Sequence, residues 1–300
     1  MAVIAVEGLR KNYGSLEAVA GVDLMIEHGE VFALLGPNGA GKSTTVEILE
    51  GHRERTSGDV SVLGFDPGTA GSDFRSQIGI VLQSEAIEKE LTVTEALDIY
   101  GALYPKRLES GALIELVGLR EKADNRIKEL SGGQRRRLEL ALGLVGDPDL
   151  LFLDEPTTGF DPAARRQAWT VIDGLRSLGK TILLTTHYMD EAQHLADRVA
   201  VIRKGSIVAE GTPDSLGNRM SAGFRISFRL GDQGPIDLPP GIEISSGEDG
   251  FVTVSTDDPT RTLHTLTTWA LDRNTELAAL TVNRPTLEDV YLELVDETEG

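Results

Sequence analysis

The stretch EVFALLGPNGAGKSTTVEIL, Glu30 to Leu49, decides the fold. Its first part is a short apolar run bounded by glycines, which reads as a buried strand. Its last part, Lys42 to Leu49, reads as a helix. Between them, Gly36, Gly41, Lys42 and Ser43 match the pattern G-x-x-x-x-G-K-[ST]. The loop from Gly36 through Pro37, Asn38, Gly39, Ala40, Gly41, Lys42 and Ser43 to Thr44 is therefore expected to bind a nucleotide. Its glycines let backbone N–H groups wrap phosphate oxygens, Lys42 reaches the terminal phosphates, and the Ser43 hydroxyl coordinates Mg²⁺. A Gly-rich turn without nucleotide would not need a strand before it and a helix after it.

Outward from this loop the chain alternates. VIAVEGLRKNYG and LEAVAGVDLMIEHG read as two early strands with a turn at Gly14-Ser15, and SGDVSVLG and SQIGIVLQ as further strands. From Leu91 to Gly146 the pattern is helical. Strand and helix then alternate through LLFLDEP, PAARRQAWTVIDGLRSLG, KTILLTTH and MDEAQHLADRVAVI. The implied class is α/β, a parallel sheet with a helical insertion at about 84–146. KGSIVAEGTPDSL closes it as a strand, a turn and a short helix. Beyond residue 217 the style shifts to alternating strands (GFRISFRL, GIEIS, FVTVST, LAALTVN) and two helices, so 1–217 and 218–300 are expected to be separate domains, the second a small α+β unit.

The charge narrows the function. The formal net charge is −19, and residues 221–300 hold 15 Asp and Glu against 5 Arg and no Lys. An acidic chain without a basic stripe argues against nucleic acid as a partner. The one basic cluster, Arg135-Arg136-Arg137, reads as a solvated or salt-bridged helix face. With no cysteine, disulfide and thiolate chemistry are excluded. No apolar run reaches the roughly 18 residues of a membrane span, and AVIAV is too short for a signal-peptide core. A chain of this kind acting at a membrane needs a partner that crosses it.

Further residues carry chemistry. LLFLDEP ends a buried strand in two acids: Asp154 can hold Mg²⁺, and Glu155, one residue on, can polarise an attacking water. Gln83, after IGIVL, can touch the metal or that water. His187, after TILLTT, could bond the γ-phosphate and hold the water against Glu155, although a lone histidine is more often structural. His28, His52, His194 and His264 are read as structural, and the spacing of His187 and His194 suits no zinc site. ELSGGQRRRLELAL, Glu129 to Leu142, opens a helix with Ser131, Gly132 and Gly133. A bare helix start suits phosphate, yet it lies far from the first loop.

The order of GPNGAGKST, Gln83, LSGGQ, LLFLDEP, GFDP and His187 resembles the ATP-binding cassette (ABC) ATPases, over roughly Val3 to Leu216. In that family these are the Walker A loop, Q-loop, signature, Walker B, D-loop and switch histidine. The resemblance implies the P-loop NTPase fold of ABC ATPases, with an antiparallel β subdomain and a helical subdomain, and ATP and Mg²⁺ as ligands. It assigns Tyr13 to stacking on adenine, and Ser43, Gln83 and Asp154 to the metal. It also explains the second helix start: such ATPases pair head to tail, so that Ser131, Gly132, Gly133 and Gln134 of one copy close over the ATP of the other, with Asp161 at the seam. The partner is then a second copy or a related ATPase subunit. PTLEDVYLELV, Pro285 to Val295, resembles a tail motif of drug-resistance-type exporter ATPases and of the lipid-exporting A subfamily. From residues alone it is an amphipathic helix with Leu287, Val290, Tyr291 and Leu294 on one face. RRRLELALGLVGDPDLLFLDEPTTGFDP is similar to the daunorubicin-resistance-type subunits. Two departures stand out: Phe160 replaces the usual Leu of the D-loop, and HRERTSG lacks the common Pro.

The expectation is the ATPase subunit of an exporter, cytoplasmic and peripheral on the membrane's cytoplasmic face. It would drive a separate integral membrane permease through Glu85 to Tyr104, with a drug, antibiotic or lipid as cargo. The alternatives are a soluble ABC ATPase acting on a non-membrane complex, and a module that holds ATP without turnover. Intact Glu155 and His187 speak against the latter.

Overall fold

The computed structural model describes residues 2–81, 87–219, 223–229, 238–239, 242, 244–246 and 251–283. They fall into two compact units, Met1–Thr212 and Pro213–Gly300.

In the first unit the chain starts with two long strands, β1 (Ala2–Tyr13) and β2 (Leu16–Glu27), which pair antiparallel around the turn at Gly14. The fully buried β3 (Val31–Leu35) runs into the Gly36–Gly41 loop, and α1 (Lys42–Leu49) follows. The next elements are β4 (Ser57–Val62), the one-turn α2 (Ser72–Arg75) and β5 (Ile78–Val81). The helical insertion holds α3 (Val93–Gly101), α4 (Ser110–Leu116) and α5 (Gly132–Leu144). Thr92 and Glu95 form a reciprocal capping box at α3, which fixes where that helix begins. Then come β6 (Leu150–Asp154), α6 (Pro162–Ser177), β7 (Thr181–Thr186), α7 (Met189–Leu195), β8 (Arg198–Arg203) and β9 (Ser206–Gly211).

Two sheets result. One is antiparallel, in the order β2-β1-β4; the other runs β5-β6-β7-β3-β8-β9, parallel except for the antiparallel β9. One core joins them: Ile4, Leu9 and Ile26 of the antiparallel sheet share it with Phe32, Leu34 and Phe152 of the parallel sheet. Strands buried on both faces read as continuous apolar runs, which is why β3, β6 and β7 were legible. The parallel order brings the carboxyl ends of β3, β6 and β7 to one edge, where open α/β sheets place ligands. Register sharpens this: Leu35 pairs with Thr186, and Asp154 with Thr185. No helix among the described residues is long and apolar enough to cross a membrane.

The second unit holds α8 (Pro213–Arg219), β10 (Phe224–Arg229), β11 (Ile244–Ser246), β12 (Phe251–Thr256), α9 (Pro259–Asp272) and β13 (Ala278–Asn283). Its sheet is antiparallel, in the order β11-β12-β10-β13. Ile226, Phe228, Val252 and Val254 form its core with Leu266 of α9. Asp258 caps α9 by accepting from the Arg261 N–H, and Pro259 sits in its first turn. The expected tail helix, Pro285 to Val295, lies outside the described residues, as does Gln83.

Candidate active site

The loop after β3 is shaped for an anion. Gly36 and Gly41 admit no side chain: a Cβ there would stand 2.3 Å from the Ile202 carbonyl and 2.5 Å from the Ala18 carbonyl, respectively. Gly39 (φ +79°) faces open space. The loop is tied down at its ends, with the Gly36 N–H donating to Thr186 O (3.3 Å) and Gly205 N–H donating to Ala40 O (2.9 Å). No side chain caps the start of α1, and no acid lies in its first turn. Its first N–H groups and the helix dipole therefore point at whatever enters the loop.

Lys42 is 5% exposed and donates to the carbonyls of Gly36 (2.8 Å) and Pro37 (3.2 Å). Burial pulls its pKa down, opposed by Glu155 and Asp154. Its Nζ lies 3.7 Å from Glu155 Oε1. The other carboxylate oxygen accepts from the Thr158 hydroxyl (3.0 Å) and stands 3.3 Å from His187 Nδ1, an electrostatic contact without hydrogen-bond alignment. Glu155 adopts φ +45°, a conformation side chains disfavour. It is held by its N–H on Thr185, which donates to both the carbonyl (3.2 Å) and the hydroxyl (3.1 Å). The same hydroxyl donates to Asp154 Oδ1, so Thr185 orients both acids.

Of the two readings of the arginine run, a solvated or a salt-bridged helix face, the structure bears out the ion pair at Arg136 and overturns the solvation there. Arg136 is buried, donates to the carbonyls of Pro156 (3.1 Å) and Asp154 (3.0 Å), and pairs with Glu139 at 2.7 Å. Thus α5 grips the turn that carries Glu155. Arg137 donates to the carbonyls of Val117 and Gly118, and burial lowers its pKa. The salt bridge was foreseeable; the backbone carbonyls that recruit these guanidinium groups come from distant segments.

Two cavities meet at Glu155 and Thr158. One, of about 580 Å³, is lined by Tyr13, Asn38, Gly39, Gly41, Lys42, Ser43 and Thr44. Tyr13 stands there 40% exposed, with Lys11 and Arg53 over its ring. The other, of about 720 Å³, is lined by Ser131, Gly132, Gly133, Gln134 and Asp161 and by no residue of the Gly36–Thr44 loop. Ser131 caps α5 and forms a capping box with Gln134, while Asp161 caps α6 through the N–H groups of Ala163 and Ala164.

This geometry fits a nucleoside triphosphate. A buried ammonium, an uncapped helix start and glycines that cannot carry side chains together suit phosphate. The Ser43 hydroxyl and Asp154 carboxylate are hard oxygen donors of the kind Mg²⁺ takes.

Comparison with known proteins agrees. Residues 19–158 match the family model of the ABC transporter, and 224–286 that of the C-terminal domain of ABC transporter domain-containing-like proteins. The daunorubicin resistance ATP-binding protein DrrA3 of Streptomyces coeruleorubidus is 35% identical over 98% of this chain and 96% of its own length. The chain belongs to the ABC transporter ATPases. The Nod factor export ATP-binding protein I of Ralstonia nicotianae is 43% identical over 71% of this chain and 68% of that protein. Among solved structures, cbiO1 of Clostridium perfringens, described as part of the ABC transporter complex cbiONQ, matches with a TM-score of 0.66. It is 29% identical, over 72% of this chain and 90% of that one. This ABC subunit thus binds ATP and hydrolyses it, on an ABC ATPase fold.

One acid at the back of the site was not foreseen. Glu50 closes α1 and is buried, with His52 Nδ1 3.3 Å away. Burial, then Asp154 and Glu47, raise its pKa from 4.5 to about 8. The folded state therefore holds a proton that the unfolded state has lost between those values. That stabilisation is complete below about pH 4.5 and is lost as pH rises through about 8. We expect nucleotide-free protein to lose stability, on the order of a few kcal/mol, across this window, and Glu50→Gln to flatten the slope and raise stability at the alkaline end. Urea denaturation at stepped pH measures this; a variant whose curve parallels the parent's would contradict it.

Proposed function

We propose that this chain is the ATPase half of an exporter, and that Glu155 is its general base. The observation that carries the proposal is the position of Glu155, between Lys42 and His187 at the mouth of two cavities. Lys42 moves its charge from Glu155 to the entering phosphates, which Gly36 to Thr44 cradle through backbone N–H groups. Tyr13 stacks on the adenine. Glu155, freed from Lys42 and still oriented by Thr158 and His187, takes a proton from the water that attacks the γ-phosphorus as the bond to the bridging oxygen breaks. Ser43, Asp154 and Gln83 would hold Mg²⁺, which would supply neutralisation of charge developing on the phosphates.

The site is completed by a second ATPase subunit, identical or related, in head-to-tail arrangement. What supports this is the separation of the cavities: the signature residues Ser131 to Gln134 line one that contains none of the Gly36–Thr44 loop. Asp161, on the same cavity, lies at the seam. ATP binding closes the pair and hydrolysis opens it, because the γ-phosphate bridges two chains and is then removed.

The motion drives an integral membrane permease, with the ATPase on the cytoplasmic face of the membrane. Relatives named for daunorubicin resistance and for Nod factor export support the export reading, with a drug, antibiotic or lipid as cargo. Glu85 to Tyr104 is the docking segment; within it, Ile99 and Leu103 are 51% and 76% exposed. We assign 1–217 to the ATPase domain, with 84–146 as its helical part, and 218–300 to an accessory domain.

Two outcomes test this. Glu155→Gln is expected to lower steady-state ATPase by about 10²-fold or more while ATP still binds; turnover at the parent rate would remove Glu155 from the role. The tagged chain, pulled from detergent-solubilised host membranes, is expected to bring a multi-span permease at near-equal stoichiometry. Recovery with a soluble complex alone would contradict the exporter reading.

A further inference from the structure

Glu191 is fully buried, in the first turn of α7 and four residues beyond His187. Its Oε1 accepts from the Thr157 hydroxyl at 2.7 Å and from the Trp169 indole N–H at 3.3 Å. Its Oε2 is buried without a hydrogen bond of ordinary geometry. A buried carboxylate is a costly choice for joining segments that apolar packing could join. Burial raises its pKa, against the hydroxyls of Thr186 and Thr157, the Trp169 indole and the Arg165 charge.

The segments it joins matter more than its burial. Thr157 is fully buried and lies in the turn after β6, next to Thr158, whose hydroxyl holds Glu155. Trp169 belongs to α6, the helix that Asp161 caps. Around the carboxylate, α6 and α7 are stitched twice more: Arg165 pairs with Asp190 (3.0 Å) and lies over the Tyr188 ring at 4.2 Å, and Trp169 stacks on His194. His187 and Tyr188 lead directly into α7. One side chain therefore meets the turn that carries Glu155, the helix behind Asp161, and the helix that follows His187.

We propose that Glu191 is a positioning residue for hydrolysis, which locks the Glu155–Thr158 turn to the His187 helix through Thr157 and Trp169. It touches neither nucleotide nor water. The proposal rests on the reading of Glu155 and His187 given above. Removing the lock leaves the nucleotide loop intact, because no bond of Glu191 reaches residues 36–44. The loss then falls on kcat and not on KM, since the geometry of base and histidine matters only as the bond breaks.

The experiment is steady-state ATPase and ATP binding on the full chain for Glu191→Ala, Glu191→Gln, Thr157→Val and the Glu191→Ala/Thr157→Val double variant, with Glu155→Gln alongside. We expect Glu191→Ala to lower kcat by about 10-fold or more with KM within about 2-fold. Glu191→Gln, which keeps an acceptor oxygen, should recover most of that loss. Thr157→Val should lower kcat several-fold alone and add little to Glu191→Ala, as expected of two partners in one bond. Parent-like kcat in Glu191→Ala, a loss confined to KM, or fully additive losses would overturn the proposal. If Glu191→Ala does not fold, Thr157→Val decides: parent-like kcat overturns it. If Glu155→Gln retains turnover, the underlying reading fails; if Glu155→Gln is inactive while Glu191→Ala and Thr157→Val are fully active, this inference alone fails.

Discussion

The contact between the Lys42 ammonium and the Glu155 carboxylate organises this molecule. A lysine buried this deeply needs anionic company. Here it has the carbonyls of Gly36 and Pro37 and, at 3.7 Å, the carboxylate of Glu155. The two residues come from different strand ends, after β3 and after β6, with β7 between them. Only a parallel sheet in the order β6-β7-β3 brings them together, and the same order delivers His187 from the middle strand. On the proposed mechanism the pair is also the part of the site that substrate would change, because phosphate would compete with Glu155 for Lys42.

Around that pair the protein invests in fixing the turn after β6. Thr185 orients Asp154 and Glu155, Arg136 holds the carbonyls of Asp154 and Pro156, and Glu191 holds Thr157. Each tether comes from a different element: β7, α5 and α7. A side chain such as Glu155, at a disfavoured φ, is stable only when several neighbours determine its position. The arrangement also links the helical insertion to the turn that carries Glu155, because Arg136 lies on the helix opened by Ser131. A change at the signature helix therefore has a mechanical route to Glu155 within one chain.

Much of this was legible in the sequence, for physical reasons that differ by element. The loop from Gly36 to Thr44 was readable because backbone approach to phosphate demands glycine at fixed positions. Asp154, Glu155 and His187 were readable because each ends an apolar strand in a polar residue. The tethers were not. Arg136 sits in a run of three arginines and reads as a solvated or salt-bridged helix face; its backbone tethers stay hidden because the carbonyls that recruit it lie 18 and 20 residues away. Glu191, within TTHYMDEAQHL, reads as an ordinary first-turn acid favouring the helix dipole; its burial depends on Thr157 and Trp169 arriving from elsewhere. Glu50 closes a helix and gives no local sign of a raised pKa. In the second unit the alternating strands were found, but all six residues of β13, an edge strand of its sheet, are exposed despite their half-apolar pattern.

The central claim is that the nucleotide site is divided between two chains, with the loop of one facing the signature of the other. Sedimentation velocity of the hydrolysis-blocked Glu155→Gln chain, with and without MgATP, tests it most directly. The account predicts a monomer that becomes a dimer with MgATP, and no dimer when Ser131→Arg is added. A chain that stays monomeric with ATP bound, or dimerises equally well with Ser131→Arg, would contradict it.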